Sequence, residues 1–397
     1  MLFLEGIKVI DMTQFLSASY CAEILGDLGA DVIKIERPVH GEVYRNYGPK
    51  FINGESVSYL ALNRNKRSLS LNIKEQEGQE ILINLVKSAD VFVENFRVGT
   101  LAKYGLDYES LKHINPRLIY CSISGFGQDG PYASKGGFDL IAQAMSGIMY
   151  VTGEQDGVPV KVGYPVTDIG AGLYGAIGVL SSIIARQKTG VGCFVDTSLF
   201  EVGASWGMIA ALSYFADGSI QERMGSASPQ NAPYQAFTVS DGAFTMGTGN
   251  ETLWERFCEI FELNELLEND LFKDNSLRVK NQRLLSEIIE QKIKHLSVSE
   301  CIERLDNVGI PCGVINSIDK VVDDPQIKWR EMLVEFDHPV AGIVKNLAFP
   351  VHFNNEICSP RLAPPLLGEH TREILIDLGY SDSEINDFEK KKVIQLK

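Results

Sequence analysis

The sequence predicts an α/β fold built on a parallel sheet, because short apolar runs alternate with stretches of helical spacing. Residues 7–11, 19–28 and 31–36 have the patterns of a strand, a helix and a strand, in that order. The alternation returns as a helix over 76–88 and a strand over 90–94. Strands joined through a helix lie parallel, so we expect the chain to open on a parallel pair.

Later segments extend the same pattern. A strand is predicted at 118–124, a helix within 161–188, and a strand at 193–198 that leads into an apolar helix at 199–216. That last helix carries Glu201 and is too short to span a bilayer comfortably. We therefore expect a soluble protein that does not enter a membrane.

The composition is that of a globular, enzyme-sized protein. Its 397 residues are 45% hydrophobic and carry a formal net charge of −15, which predicts two or three domains and argues against nucleic acid or an anionic membrane as a partner. The seven cysteines include no C-x-x-C pair, and the six histidines have no metal-ligand spacing. The N-terminal MLFLEGIKVIDM lacks the features of a signal peptide. We expect a cytoplasmic protein without zinc or disulfides.

A change in composition after residue 217 predicts a second domain. Residues 218–233 are polar and rich in Gly, Ser and Pro, and a hairpin follows at 234–246 with its turn at Asp241-Gly242. The elements predicted after it are amphipathic helices at 251–261 and 281–295, a helix with a capping box at Ser297 and Glu300, strands at 310–316, 333–336 and 344–349, and a final helix capped by Ser381 with Glu384.

The turn after the first strand argues against a nicotinamide-dependent dehydrogenase. Such enzymes also open with a strand, a helix and a strand that ends in an acidic residue, as Glu36 does here. They need a glycine-rich turn so that the pyrophosphate can approach the backbone. The turn in this chain is MTQFLSAS, which contains no glycine.

The stretch ALNRNKRSLSLNIK is a basic segment in an acidic protein. It holds Arg64, Lys66, Arg67 and Lys74 around a strand predicted at 68–73, and it contains no acidic residue. A phosphate-binding patch and a solvated basic face both fit this pattern. The charges alone leave the two interpretations open.

Two loops follow predicted strand ends. Asn95 and Arg97 come directly after the strand at 90–94, with Lys103 a few residues later. After the strand at 118–124 comes GFGQDGPYASKGGFD, which has too many glycines for regular structure. Ligands of parallel α/β sheets bind at the carboxyl ends of the strands, so both loops are predicted to contribute to one binding site.

Asp168 is the candidate reacting group, because it immediately precedes a run of very small residues in TDIGAGLYGAIG. An aspartate at the start of a helix is commonly just an N-cap. The alternative is a nucleophile, which the helix N-terminus would keep ionised while free N–H groups nearby hold an oxyanion. The residue alone does not decide between these interpretations.

Taken in chain order, the motifs resemble those of the class III, or CaiB/BaiF-type, coenzyme A transferases over nearly the whole chain. They are LGADVIKIERP, NRNKRSLSLNIK, DVFVENFRVGTLAKYGLDYESL, NPRLIYCSISGFGQDGPY, KGGFDLIAQAMSG, TDIGAG, GCFVDTSLFE and PPLLGEHTREIL. The resemblance implies a Rossmann-like large domain built from residues 1–217 and 330–397, a smaller α/β domain over 218–329 with flanking linkers at 218–233 and 318–332, and an interlocked homodimer.

The resemblance also implies the activity. The protein would move CoA from an acyl-CoA to a carboxylic acid, with no permanently bound cofactor. Asp168 matches the family's nucleophile, which attacks the thioester, forms a mixed anhydride and becomes an aspartyl-CoA thioester when the thiolate returns. A carboxylate with an ordinary pKa near ~4 is ionised at neutral pH and needs no general base for this attack.

The CoA contacts implied by the resemblance lie throughout the first half of the chain. They are Phe15, Leu16, Arg37, Leu71, Lys74, Asn95, Phe96, Arg97, Lys103, Gly136, Gly137, Phe138 and Asp139. Phe15 and Leu16 match a lid over the thioester. The substrate loop of the second domain is implied to be Gly247, Thr248, Gly249 and Asn250. Gln14 and Leu16 replace a histidine and a glutamine of formyl-CoA:oxalate transferases, which argues against oxalate as acceptor.

Two alternatives belong to other classes of protein. An isomerase similar to α-methylacyl-CoA racemase needs a histidine base opposite the aspartate, and the matching position in this chain is Phe138. A non-catalytic CoA-binding protein would keep the basic residues without needing Asp168. The donor and acceptor acids are not predicted, so short dicarboxylates, carnitine-like acids, aromatic acids and bile acids all stay open.

Overall fold

The computed structural model describes residues 2–397, which pack into two compact units. The large unit runs to Gly147 and continues in Val162–Met208 and Pro325–Lys397. The small unit consists of Ile148–Lys161 and Ile209–Asp324. Residues 148–161 and 209–217 thus pack with the small unit, whereas the sequence predicts them in the large domain, and residues 325–329 pack with the large unit, whereas the sequence predicts them in the small domain.

The β-strands of the large and small units are numbered in chain order. They are β1 (Lys8–Met12), β2 (Asp31–Glu36), β3 (Phe51–Ile52), β4 (Glu55–Ser56), β5 (Lys66–Ser70), β6 (Val91–Glu94), β7 (Ile119–Ser124), β8 (Phe194–Ser198), β9 (Tyr234–Val239), β10 (Gly242–Gly247), β11 (Cys312–Val314), β12 (Leu333–His338), β13 (Gly342–Leu347), β14 (His352–Phe353) and β15 (Glu356–Ile357).

The helices are numbered in the same way. They are α1 (Ser17–Asp27), α2 (Val57–Leu62), α3 (Gln76–Val86), α4 (Tyr108–Ile114), α5 (Asp139–Met145), α6 (Ile148–Val151), α7 (Val166–Thr189), α8 (Leu199–Trp206), α9 (Met208–Asp217), α10 (Glu251–Ile260), α11 (Asn275–Lys280), α12 (Gln282–Ile293), α13 (Val298–Asn307), α14 (Ile318–Asp323), α15 (Pro325–Trp329), α16 (Thr371–Asp377) and α17 (Asp382–Lys390). Turns of 3₁₀ helix lie at Val43–Asn46, Leu101–Tyr104 and Asn264–Leu266.

A parallel sheet forms the centre of the large unit, in the strand order β5-β2-β1-β6-β7-β8. The chain adds strands outward from β1 on one side and then returns to place β6 on its other side. This is the doubly wound order, with its switch point between β1 and β6. The predicted α/β class with a parallel central sheet is therefore confirmed.

Residues along each strand alternate between two apolar layers. Val9 joins the layer that contains α1 and α7, whereas Ile10 joins the layer that contains α3, α16 and α17. Both faces of the sheet are therefore covered by helices. This is why β1, β2 and β6 are buried along nearly their whole length rather than on alternate residues.

Helix α7 packs closely on α1 and on the sheet because glycines line the contact. A Cβ at Gly172 would lie 2.6 Å from the carbonyl oxygen of Ser17, and one at Gly175 would lie 2.6 Å from Cδ1 of Ile123. The helix ends at Gly190, whose φ of 75° is the left-handed conformation of a C-terminal glycine.

The outward face of α7 is apolar. Leu173, Tyr174, Ile177 and Ile184 are between 41% and 62% exposed in the single chain. Among the described residues, α7 is long and apolar enough to cross a membrane by length and composition alone, as are α8 and α9 taken together. The inward face of α7 packs against α1, β7 and β8. It is therefore a core helix of the large unit with one uncovered apolar stripe.

The small unit contains an antiparallel sheet in the order β11-β10-β9. The predicted hairpin is confirmed, with β9 and β10 meeting at Asp241-Gly242. The capping box at Ser297 and Glu300 is confirmed at the start of α13, as is the one at Ser381 and Glu384 at the start of α17 in the large unit. Such signals involve residues only a few positions apart, so they can be recognised directly in the sequence.

Some predicted bounds are wrong. The helix predicted at 199–216 is two helices, α8 and α9, separated by Gly207, whose N–H bonds to the carbonyl of Ala204 in a tight turn. Glycine is a poor residue for a helix interior, which is why the break falls there. The strand predicted at 68–73 begins earlier, at Lys66, because its first residues pair with β2.

Candidate active site

The switch point of the sheet is closed by two turns that bond to each other. Residues 13–16 follow β1, and residues 95–97 follow its neighbour β6. The side-chain oxygen of Asn95 accepts a hydrogen bond from the Gln14 N–H at 2.9 Å, and its NH₂ donates to the Gln14 carbonyl at 2.6 Å. The turns therefore form one edge where doubly wound sheets bind their ligands.

A buried ion network holds the turn after β1. Asp11 accepts hydrogen bonds from the backbone N–H and hydroxyl of Thr13 and pairs with Lys66 at 2.9 Å. Lys34 lies 3.7 Å from Asp11 and donates to the Thr13 carbonyl at 3.1 Å. Burial raises the pKa of Asp11, but Lys34 and Lys66 more than offset it, so that this pKa lies below its ordinary value. These buried ion pairs and hydrogen bonds therefore fix the conformation of the turn.

Both interpretations of the basic segment around β5 are wrong for most of its residues. Its cations are paired with acids from β1, α1 and β2: Lys66 with Asp11, Arg64 with Glu23 and Asp27, and Arg67 with Asp31. Lys66 is fully buried. Basic residues in a segment that contains no acidic residue can still form ion pairs, because distant parts of the chain supply the carboxylates. Of this segment, Lys74 keeps an exposed side chain beside a ligand-sized cavity.

Phe15 stands in the turn after β1 in a left-handed backbone conformation. Its φ of 60° is strained for a residue other than glycine and persists only where the surroundings hold it. The Glu42 carboxylate accepts the Phe15 N–H at 3.3 Å. The ring packs edge-on against Tyr44 and Phe138, with centroid distances of 5.5 and 6.1 Å. An aromatic cluster thus stands beside the switch point.

A cavity of about 560 Å³, named the Asp168 cavity, opens beside these turns within the large unit. Its lining brings together many of the residues singled out from the sequence. They are Phe15, Asn95, Phe96, Arg97, Gly136, Gly137, Phe138, Asp139 and Asp168. Residues from separate segments of the chain therefore meet at one place, as the strand-end loops predict.

A second cavity of about 230 Å³, named the Arg37 cavity, adjoins the first, because Phe96 lines both. It holds three more of the predicted contacts, Arg37, Leu71 and Lys74. Arg37 donates to the Gly41 carbonyl at 3.0 Å. Within residues 2–397, no carboxylate pairs with Arg37 or Lys74. Exposed cations at one end and a carboxylate at the other suit a long anionic ligand.

Leu16 and Lys103 lie outside the lining of both cavities. Leu16 takes the position before α1, directly after Phe15. Lys103 is exposed on the 3₁₀ turn Leu101–Tyr104, whose end residues line the Arg37 cavity. Lys103 is therefore placed at the margin of that cavity rather than in it.

The predicted substrate loop belongs to the small unit. Gly247 ends β10, Thr248 is buried, and the Asn250 side chain caps α10 by accepting the Leu253 N–H at 2.9 Å. A Cβ at Gly247 would lie 2.3 Å from the Tyr234 ring, so only glycine fits there. The contribution of Gly249 and its neighbours to substrate binding stays a prediction.

Asp168 is the third residue of α7 and not its N-cap. Pro165 takes the cap position without a side-chain bond. Instead Asp139, at the start of α5, accepts bonds from the N–H and hydroxyl of Thr167 at 2.9 and 2.7 Å. Within residues 2–397, no group donates a hydrogen bond to the Asp168 carboxylate. The N-cap interpretation of Asp168 is therefore wrong, and its carboxylate lines the cavity unpaired.

Burial, joined by the nearby carboxylate of Asp139, raises the pKa of Asp168 to about 7. The expected ordinary pKa near ~4 is therefore wrong for the free protein. The partial positive charge of the helix N-terminus does not offset the loss of hydration in this position. A carboxyl group with such a shift, unpaired in a cavity, is a strong candidate for a reacting group.

The start of α7 offers few free N–H groups, although the sequence predicts an oxyanion site there. Its first N–H groups bond within the protein: Val166 to the Tyr164 carbonyl, Thr167 to Asp139 and Ile169 to the Pro165 carbonyl. Of the first turn, the Asp168 N–H has no acceptor within residues 2–397.

The loop after β7 is closed by direct contact between two glycines. A Cβ at Gly125 would lie 2.7 Å from Cα of Gly137, and one at Gly137 would lie 2.5 Å from Cα of Gly125. The glycines of this loop therefore serve close backbone packing at the cavity wall.

Glu94, at the end of β6, accepts hydrogen bonds from the Ser122 hydroxyl and the Phe96 N–H, and burial raises the pKa of Glu94 to about 7.

Comparison with known proteins gives the family. The sequence profile described as CoA-transferase family III matches residues 4–371. This chain belongs to CoA-transferase family III. It is 38% identical over 385 residues to a succinyl-CoA:glutarate CoA-transferase from Homo sapiens, covering 97% of this chain and 88% of that protein.

Other members of CoA-transferase family III match over most of their length. A succinate–glutarate CoA-transferase from Agrobacterium fabrum is 35% identical over 381 residues, covering 94% of this chain and 95% of that protein. A solved structure of a CaiB/BaiF family protein from Brucella suis is 39% identical, with a TM-score of 0.83, covering 94% of this chain and 98% of that one. The predicted family and the class of enzyme, a CoA-transferase, are confirmed.

The lining residues of this family III cavity that are not singled out by the sequence include Tyr44, Tyr47 and Lys135. The tyrosines lie in the loop after β2, and a position after a parallel strand is the signal that points to them. Lys135 lies beside the predicted Gly136, and its ammonium stands 3.9 Å from the centre of the Tyr132 ring. Within residues 2–397, no carboxylate pairs with Lys135.

Proposed function

We propose that this CoA-transferase moves CoA from a donor acyl-CoA to an acceptor carboxylic acid through a thioester on Asp168. The observation that carries the proposal is the position of Asp168, an unpaired carboxylate in a cavity that adjoins the cationic Arg37 cavity. The family supplies the class of reaction, and the geometry supports Asp168 as the group that reacts.

The steps balance without an added base or cofactor. An Asp168 oxygen bonds to the thioester carbon, and collapse of the tetrahedral intermediate breaks the C–S bond, which gives a mixed anhydride and CoA thiolate. The thiolate then attacks the Asp168 carbonyl carbon and expels the donor acid as a carboxylate. The aspartyl-CoA thioester that results reacts with the acceptor acid by the same steps in reverse order.

The proposed path of CoA follows the adjoining cavities. Its phosphates would lie by Arg37 and Lys74, with Lys103 at the margin, and Leu71 and Phe96 would contact the apolar part of the molecule. The thioester would then reach the Asp168 cavity. No cofactor is needed beyond the CoA thioester substrate.

We propose short dicarboxylic acids, such as succinate and glutarate, as the exchanged acids. Two relatives at 35% identity or more have names that pair succinate with glutarate. The Asp168 cavity also contains Arg97 and Lys135, cations that could pair with the carboxylate at the far end of such an acid. A monocarboxylic acid would leave that pairing unmade.

The isomerase alternative has no support from the cavity. Phe138 stands at the position where the racemase carries its histidine, and its ring packs against Phe15. Among the described residues, no histidine lines the Asp168 cavity. A phenyl ring cannot exchange a proton with the α-carbon of a substrate, so proton transfer from two sides lacks its second base.

We also propose that the protein works as a homodimer in the cytoplasm, away from membranes and nucleic acid. Support for a second copy comes from the exposed stripe of Leu173, Ile177 and Ile184 on α7, since soluble proteins seldom leave such a surface uncovered. Support for the compartment comes from the cysteines, which are free in the described residues.

Mass spectrometry of the purified protein with succinyl-CoA, without acceptor and at mildly acidic pH, tests the intermediate. We expect an adduct of the mass of CoA on the peptide that contains Asp168, released by hydroxylamine. Asp168→Asn should bind the thioester without forming the adduct, and Asp129→Asn, on the exposed loop after β7, should form it normally. Binding of succinyl-CoA without an adduct on the unchanged protein would overturn the proposal.

A further inference from the structure

Acyl transfer to and from Asp168 places negative charge on the carbonyl oxygen of the acyl group in the first and last tetrahedral intermediates, whereas in the two between them the charge lies on the Asp168 carbonyl oxygen. Enzymes of this kind stabilise that oxygen with fixed hydrogen-bond donors. The start of α7 does not supply them freely, because the N–H groups of Val166, Thr167 and Ile169 already have acceptors. The Asp168 N–H has no acceptor within residues 2–397, so α7 offers one donor and a second can come from another element.

Tyr44 can supply such a donor. It lines the Asp168 cavity from the 3₁₀ turn Val43–Asn46, after β2. Its ring is fixed by edge-on packing against Phe15 at 5.5 Å and by contact with Tyr47 at 5.3 Å. Within residues 2–397, no group forms a hydrogen bond with its hydroxyl.

The turn that carries Tyr44 is held firmly. The next residue, Arg45, makes a bidentate pair with Glu36 at 2.6 and 2.7 Å, and the Glu42 N–H donates to the same carboxylate at 3.1 Å. A donor on such a turn needs little rearrangement when the substrate reacts, which is what makes a fixed donor effective.

The electrostatics of the phenol agree with this position. Burial and the nearby Asp168 carboxylate raise the pKa of Tyr44 to about 12. The phenol therefore keeps its proton throughout the neutral range and is available as a donor.

We propose that the Tyr44 hydroxyl donates a hydrogen bond to the acyl carbonyl oxygen as it becomes an oxyanion during transfer to and from Asp168. The inference rests on the proposed function, since it names a further catalytic residue for that reaction. No proton is transferred: the phenol keeps its hydrogen, and the oxyanion reverts to a carbonyl when the C–S or C–O bond breaks.

Rapid-quench measurement of the adduct on Asp168, in the unchanged protein and in Tyr44→Phe, tests this role. Loss of one oxyanion donor lowers kcat by about 100-fold, and we expect adduct formation to slow by that order. The KM for succinyl-CoA and the affinity for free CoA should stay within about threefold, because the phenol does not contact the CoA phosphates. Tyr380→Phe, which removes a phenol outside the cavity, should keep its rate.

A second variant separates the hydroxyl from the ring. Tyr44→Leu also removes the packing on Phe15, so it should be at least as slow as Tyr44→Phe. A normal rate in Tyr44→Phe, with or without a loss in Tyr44→Leu, would overturn the proposal, and so would a change confined to the KM of the dicarboxylate. If the unchanged protein forms no adduct, the proposed function fails and this inference fails with it. A normal adduct that forms equally fast in Tyr44→Phe refutes the inference alone.

Discussion

Asp168 and Asp139 are neighbouring carboxyl groups whose hydrogen bonds give them different roles. Asp139 accepts bonds from Thr167 and Gln143 and fixes the start of α7. Asp168 accepts none within residues 2–397, and burial with the charge of Asp139 raises its pKa to about 7. Asp139 therefore acts as a positioning residue for the proposed nucleophile, although the resemblance assigns it to CoA binding.

The raised pKa of Asp168 predicts the pH dependence of adduct formation. Only the ionised carboxylate attacks the thioester, so the rate should rise with pH and level off above about 7. Asp139→Asn removes a negative charge but keeps an oxygen for Thr167, and the inflection should move to lower pH. Rapid-quench rates at a series of pH values measure it. Asp129→Asn is the matched control, and an unmoved inflection in Asp139→Asn would contradict the prediction.

The same shift predicts an effect on stability. The pKa of Asp168 in the folded protein is above its unfolded value of about 3.9, so the folded protein binds more protons between these values. Its stabilising contribution is present in acid and is lost as pH rises from about 4 to about 7. Asp168→Asn, which never ionises, should therefore raise the Tm at about pH 8 and leave it nearly unchanged at about pH 4. Equal changes at both pH values, in thermal unfolding, would refute this.

Lys135 is predicted to select dicarboxylic acids. Lys135→Gln should raise the KM for glutarate by about tenfold, the usual effect of losing one charge-assisted hydrogen bond. The KM for a monocarboxylic acid of similar length should not change, because no second carboxylate pairs with the lysine. Steady-state kinetics with both acids measures the difference. Lys87→Gln, an exposed lysine at the end of α3, is the control, and equal losses for both acids would exclude the pairing.

Helix α7 depends on glycine where it meets α1. Gly172→Ala would place a methyl group 2.6 Å from the Ser17 carbonyl oxygen, and backbone cannot yield as a flexible side chain does. We expect a loss of about 1–3 kcal/mol in the free energy of unfolding, measured in urea. Gln187→Ala on the exposed side of the same helix should change it little. Equal stability of the two variants would show that the contact is looser than described.

Local signals predicted most elements, and long-range contacts account for the errors at the candidate site. The capping boxes of Ser297 and Ser381 and the hairpin at Asp241 depend on neighbours within a few residues, and all are confirmed. The buried state of Lys66 and the raised pKa of Asp168 depend on acids from other segments. Partners of that kind cannot be recognised from composition or spacing. The sequence therefore predicted which residues form the candidate site, but not their ion pairs or their pKa values.

The apolar stripe on α7 predicts how the chains assemble. If a second copy covers it, light scattering should give twice the chain mass of 43.9 kDa, and the Tm should rise with protein concentration. Ile177→Asp should weaken or abolish the dimer, because a charge would be buried in the contact. Ile376→Asp, at a similarly exposed position on α16, is the matched control. A monomer at every concentration would contradict the proposed homodimer.

The buried ions beneath the turn after β1 have a consequence for mutational tolerance. Asp11, Lys34 and Lys66 are each fully buried, and removing one leaves the others uncompensated, a loss of about 3–5 kcal/mol. Tyr47 and Lys135 line the same site but are exposed and take no part in that network. Substitutions at the exposed wall can therefore change the choice of acceptor at little cost in stability, whereas a substitution of any one of the three buried ions would weaken the support of the whole site.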